Sequence, residues 1–139
     1  MTNTLRFPPA DPATAAAFFA AELAFDADPE DVVRDLRAGT AAGFQLVETR
    51  GAQAFADARI PTAINLPYRE VDETTTKDLD RSLVYVCYCE SFQCNAATKG
   101  ALALAGLGFR VKRLSGGITA WRAAGYPVEG ALSGATCAC

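Results

Sequence analysis

Three of the chain's five cysteines fall in one segment, Val86-Cys87-Tyr88-Cys89-Glu90-Ser91-Phe92-Gln93-Cys94-Asn95. The chain has no His. A Ser-His-Asp triad, a Cys-His pair and a His-ligated metal are therefore all excluded. Chemistry falls to the thiols, the carboxylates and the backbone. A thiol acts as a nucleophile through its thiolate, which a helix N-terminus and converging backbone N–H groups favour over the neutral form. Cys89 is best placed for both effects, between an apolar run and a helix capped by Asn95. A second account stays open: Cys89 is a small apolar residue that ends a strand. Cys87, two residues earlier within the apolar run, reads as core.

Alternating elements must position that segment. Asp11 with Pro12 opens a helix over Ala13–Ala24, and Asp28 with Pro29 opens another that closes at Gly39. Phe44–Val47 and Ile64–Leu66 read as strands, and Gly51–Phe55 as a short helix. Residues 69–82 are charged and Thr-rich and read as a loop with one helical turn. Leu83–Cys87 is the strongest strand, a near-continuous apolar run suited to burial on both faces of a parallel sheet. Asn95–Ala105 is the strongest helix. A strand over Val111–Leu114 and a helix over Ile118–Ala124 follow. The pattern predicts one α/β domain with a parallel sheet of about five strands and helices on both faces. In such sheets the site lies past the carboxyl ends of the strands, which is where Cys89 stands.

Composition narrows the function further. The chain has 139 residues and a net charge of −3, which argues against an electrostatic nucleic-acid binder. No run approaches the roughly 20 apolar residues of a membrane span. The N-terminus places Pro8 and Pro9 where the apolar run of an export signal would begin, so the cytoplasm is the expected location. Thiols stay reduced there, and five cysteines do not predict a disulfide framework.

Over residues 28–130 the sequence resembles the rhodanese-like sulfurtransferases. Val47-Glu-Thr-Arg50 is similar to the family's acidic-x-Arg motif, and Arg59-Ile-Pro-Thr-Ala-Ile-Asn-Leu-Pro67 to its His-Ile-Pro-Gly-Ala-Ile-Asn-Leu-Pro segment. Tyr88-Cys89, five further positions and a helix are similar to its active-site loop. Leu107–Lys112 and Gly116-Gly-Ile-Thr-Ala-Trp121 match its C-terminal portion. The loop ending in Cys94-Asn95 resembles a subgroup of single-domain members. The resemblance implies a rhodanese-like fold and a catalytic Cys89. As a persulfide, Cys89 would carry sulfane sulfur from a donor, thiosulfate or a persulfide, to cyanide or a thiol. It also implies a loop, Glu90, Ser91, Phe92, Gln93, Cys94 and Asn95, whose N–H groups hold the persulfide's charge. No cofactor, metal, nucleic acid or membrane is implied; the partners are small molecules and, as an acceptor, a protein thiol. Residues 1–27 are then a helical extension and residues 131–139 a Cys-containing tail. The alternatives are a non-catalytic binding module of the same fold and a dithiol redox protein using Cys89 and Cys94.

Two departures from the family pattern, Arg59 for His and Thr62 for Gly, fall outside the loop and are expected to alter a surface contact. The loop also has no cation, and Glu90 and Phe92 make its mouth unwelcoming to thiosulfate unless Lys99, Arg69 or Arg113 reaches in. Phosphatases of related architecture need a longer loop and an Arg, but no Arg occurs between residues 82 and 109. Cys94 is either a thiol that resolves the Cys89 persulfide or a small residue that closes the loop. Cys137 and Cys139 read as part of a mobile tail, against a second thiol pair, a persulfide relay or a zinc arm. Glu48 with Arg50 reads as a structural ion pair, Gly116-Gly117 as a turn and Trp121 as packing.

Overall fold

The computed structural model of the chain describes residues 2–132. Helix α1 (Pro12–Phe25) leads into a two-residue strand β1 (Asp26–Ala27), then α2 (Pro29–Ala38) and β2 (Phe44–Glu48). Next come α3 (Ala52–Asp57), β3 (Ile64–Asn65), a 3-10 turn at Tyr68–Glu70 and β4 (Val84–Tyr88). Helix α4 (Ala96–Gly106), strand β5 (Arg110–Leu114) and helix α5 (Gly117–Ala123) complete the order. The five strands form one sheet in the order β1-β5-β4-β2-β3, and every pairing is parallel.

The helix starts follow the sequence signals. The Asp11 carboxylate accepts from the Thr14 N–H at 3.1 Å, and Asp28 from the Glu30 N–H at 2.8 Å. Asn95 differs. Its backbone stands at φ −102°, ψ 10°, outside the extended region from which a cap side chain reaches back, and its side chain makes no capping bond. Strand β1 is absent from the sequence reading. It pairs with β5 through Asp26 and Ala27, so the sheet's edge draws on residues assigned to the extension.

Alternation along β4 divides the interior in two. Val86 and Tyr88 face a core with Val32 and Val33 of α2 and Ile118 and Trp121 of α5. Tyr85 and Cys87, followed by Cys89, face the other core, where α4 presents Ala96, Ala97 and Leu104. Strand β4 is thus covered on both sides, as its apolar run predicts. Helix α1, like the short α3, has no buried residue, and its Phe18, Phe19, Leu23 and Phe25 are exposed. Among the described residues no helix is long and apolar enough to cross a membrane.

Candidate active site

Cys89 is the first residue past β4 and is 3% exposed. It forms part of the floor of a cavity of about 280 Å3 at the carboxyl end of the sheet. Ser91, Phe92 and Cys94 also line this space, and Phe92, 82% exposed, stands at its rim. Glu90, Gln93 and Asn95 do not line it. Glu90 turns outward to Arg50, 2.6 Å away. Arg50 also binds the fully buried Glu48, and Tyr88 donates its hydroxyl to the other Glu48 oxygen at 2.7 Å. An ion-pair network, buried at Glu48 and open to solvent at Glu90, therefore ties the end of β2 to the residue after Cys89, and Glu90 adds no free charge to the mouth. Desolvation raises the Glu48 carboxyl pKa, against the opposing pull of Tyr88 and Arg50.

The two glycines at 116 and 117 form a turn. Gly117, at φ +64°, has no room for a side chain: a Cβ there would lie 2.6 Å from the Cys89 carbonyl oxygen. That approach lets Ile118 N–H donate to the Cys89 carbonyl and Thr119 N–H to the Glu90 carbonyl, both at 2.9 Å. The Ile118 and Thr119 amides of α5 are therefore spent on the loop rather than on an anion. Trp121 is fully buried and donates its ring N–H to the Pro127 carbonyl at 2.8 Å, as a packing residue does.

The thiols differ from the expectation of a ready Cys89 thiolate. Burial pushes the Cys89 thiol up, and its hydrogen bonding with Cys94 pushes the same way. The Cys89 sulfur donates to the Cys94 carbonyl at 3.3 Å, a bond only the neutral thiol can make. The N–H groups of Ala97 and Glu90 pull it down, as a helix N-terminus should, but less strongly. For Cys94 burial also raises the pKa, but it is outweighed by the Ala96 N–H, 3.5 Å from its sulfur, and by the Cys89 thiol, so the shift is downward. The Cys94 sulfur thus accepts from the first amide of α4, at a helix start where the Asn95 side chain makes no capping bond. The two thiols titrate as a pair: the first proton leaves below the ordinary thiol range and the second above it. Cys87 is fully buried and pushed up to about 12 by desolvation, which makes it an inert core residue.

Residues 28–124 match the family described as the rhodanese-like domain. The chain belongs to the rhodanese-like domain family. Its fold is similar to the BH2092 protein of Bacillus halodurans, at 39% identity, a TM-score of 0.87 and 91% coverage of both chains. The rhodanese-like domain of the Anabaena sp. Alr3790 protein shares the fold at 23% identity and a TM-score of 0.70, over 82% of this chain and 85% of that one. The HTH-type transcriptional regulator Rv0324 of Mycobacterium tuberculosis is 35% identical over 105 residues. That match takes in 73% of this chain but only 46% of the regulator, so the chain spans just under half of that relative's length.

Within this rhodanese-like domain the departures from the family pattern sit away from the cavity. Arg59 packs over the Phe55 ring and pairs with Glu129 at 3.4 Å. Thr62 occupies a turn at φ +73°. Of the three candidate outside cations, Lys99 and Arg69 both lie against the Tyr68 ring. Only Arg113 of the three lines the Cys89 cavity, together with Glu22 and Asp26. Sequence reasoning missed those two carboxylates, because nothing local marks α1 and β1 as part of the site. Cys137 and Cys139 lie outside the described residues.

Proposed function

We propose that this rhodanese-like domain is a sulfurtransferase with Cys89 as its nucleophile. The observation that carries this reading is a nearly buried Cys at a cavity floor, with the Glu90 and Ala97 N–H groups favouring its thiolate. The Cys89 thiolate attacks the outer sulfur of a donor R–S–SH. A new S–S bond forms, the old one breaks, and RS⁻ leaves to take up the Cys89 proton. The enzyme persulfide then yields its outer sulfur to cyanide, giving thiocyanate, or to an acceptor thiol, and the Cys89 thiolate returns. Burial holds the resting Cys89 thiol neutral, so attack waits on loss of its proton, which ends on the departing RS⁻. The loop Cys89–Asn95 has no Arg to stabilise a transferring phosphoryl group, which argues against phosphatase chemistry.

The test is intact mass after treatment with polysulfide, with and without cyanide. Wild type is expected to gain one cyanide-labile sulfur and Cys89→Ser none. A Cys89→Ser variant that still loads a labile sulfur would overturn the assignment.

One observation favours a second role in the same reaction. Cys94 and Cys89 share hydrogen bonding across the loop. Attack of the Cys94 thiolate on the inner sulfur of the Cys89 persulfide would form a disulfide and release sulfide as HS⁻, with no outside oxidant. Transfer to cyanide needs only Cys89.

A further inference from the structure

The cavity that holds Cys89 carries a charge pattern that the sulfurtransferase reading does not use. Arg113 lies in its wall, fixed by Asp26 at 2.9 and 3.3 Å and by the Thr98 hydroxyl at 2.9 Å. Glu22, from the last turns of α1, stands in the same wall. Three elements meet here: β1 brings Asp26, β5 brings Arg113 and α4 brings Thr98. Asp26 and Arg113 are direct neighbours across the β1–β5 pairing, and Arg113 is also opposite Cys87 of β4. The register thus fixes the guanidinium near the strand end from which Cys89 follows.

A simple anion is poorly matched to this wall. Thiosulfate would meet one guanidinium already shared with Asp26 and a second carboxylate beside it. A neutral or cationic donor would leave Arg113 unused. One cation flanked by two carboxylates is complementary to a molecule that carries both charges. The volume, about 280 Å3, is just below the range of roughly 300–1,000 Å3 that drug-sized ligands occupy, so it suits something the size of an amino acid.

We propose that Arg113 and Glu22 make this cavity selective for a small zwitterionic persulfide of the α-amino-acid type, such as cysteine persulfide. The carboxylate of the donor binds the Nη1 and Nη2 N–H groups of Arg113 that Thr98 and Asp26 leave over, its ammonium binds Glu22, and its outer sulfur is presented to Cys89. Asp26 and Thr98 hold the guanidinium in place. The proposal rests on the sulfurtransferase reading and names its donor. The thiolate of Cys89 takes the outer sulfur, and the free amino-acid thiolate leaves.

Four donors test it: cysteine persulfide, cysteamine persulfide (no carboxylate), 3-mercaptopropionate persulfide (no ammonium) and thiosulfate. The readout is kcat/KM for sulfur loading, with inorganic polysulfide as a control that lacks both the carboxylate and the ammonium. Wild type is expected to prefer cysteine persulfide about tenfold or more. Arg113→Gln should remove that advantage, slowing cysteine persulfide about tenfold more than it slows cysteamine persulfide or polysulfide. Arg113→Lys, which keeps the charge without the fork, should fall between. Glu22→Gln should bring 3-mercaptopropionate persulfide level with cysteine persulfide. Equal efficiency of wild type with all donors would overturn the proposal, as would an Arg113→Gln that slows every donor alike. Failure of wild type to load sulfur even from polysulfide would instead remove the sulfurtransferase reading beneath it.

Discussion

At the scale of single residues, the pair Cys89–Cys94 sets the pH behaviour. Both the hydrogen bonding of the Cys89 thiol to the Cys94 side chain and the negative charge of Cys94 raise Cys89. Removing the Cys94 sulfur removes these two while leaving the bond to the Cys94 carbonyl, so Cys89 is expected to ionise at lower pH in Cys94→Ala than it does as the second step of the wild-type pair. A thiolate alkylates as it forms, so the rise in Cys89 labelling by iodoacetamide should begin at lower pH in the variant. A profile displaced upward, or unchanged, would mean that the Cys94 contact does not govern Cys89. The spacing of these two thiols was plain in the sequence. Which of them is the more acidic was not, because it depends on where the Asn95 backbone sends its side chain and whose sulfur meets the Ala96 N–H.

At the scale of elements, most of the architecture could be read from local chemistry. Asp-Pro pairs start α1 and α2, and Gly39 at φ +70° ends α2. The apolar run of β4 announced a central strand. Strand β1 could not be read, since two residues between two helices carry no periodicity. Arg113 was visible only as one of several cations. Its arrival at the cavity depends on pairing with Asp26, 87 residues away, which no local pattern encodes. The turn Ile60-Pro61-Thr62-Ala63 gives the converse case. Ala63 N–H closes it on the Ile60 carbonyl, and the third position needs a positive φ, which suits Gly. Thr62 adopts it at a cost of about 1–2 kcal/mol, partly offset by the greater freedom Gly would have in the unfolded chain. Thr62→Gly is therefore expected to stabilise the fold by about 0.5–1 kcal/mol. A raised urea midpoint with an unchanged slope checks this, and a lowered midpoint would contradict it.

For the whole molecule, local stability is unevenly distributed, and the uneven part touches the site. Cys89 follows the central strand, which is covered by helices on both faces. Asp26 and Glu22 belong to a two-residue edge strand and a helix with no buried residue. Such a unit opens at a lower free energy than the core. Preference among donors and the capacity to transfer sulfur are therefore expected to have different melting behaviour. As urea rises, the ratio of kcat/KM for cysteine persulfide over cysteamine persulfide should fall toward one before the fluorescence of Trp121, the chain's single Trp, reports loss of the core. Coincident transitions would show that the edge unit and the core unfold together. If they separate, the protein has a subglobally unfolded form that still reacts but no longer discriminates, and its fidelity, unlike its turnover, will be set by the marginal cohesion of one edge.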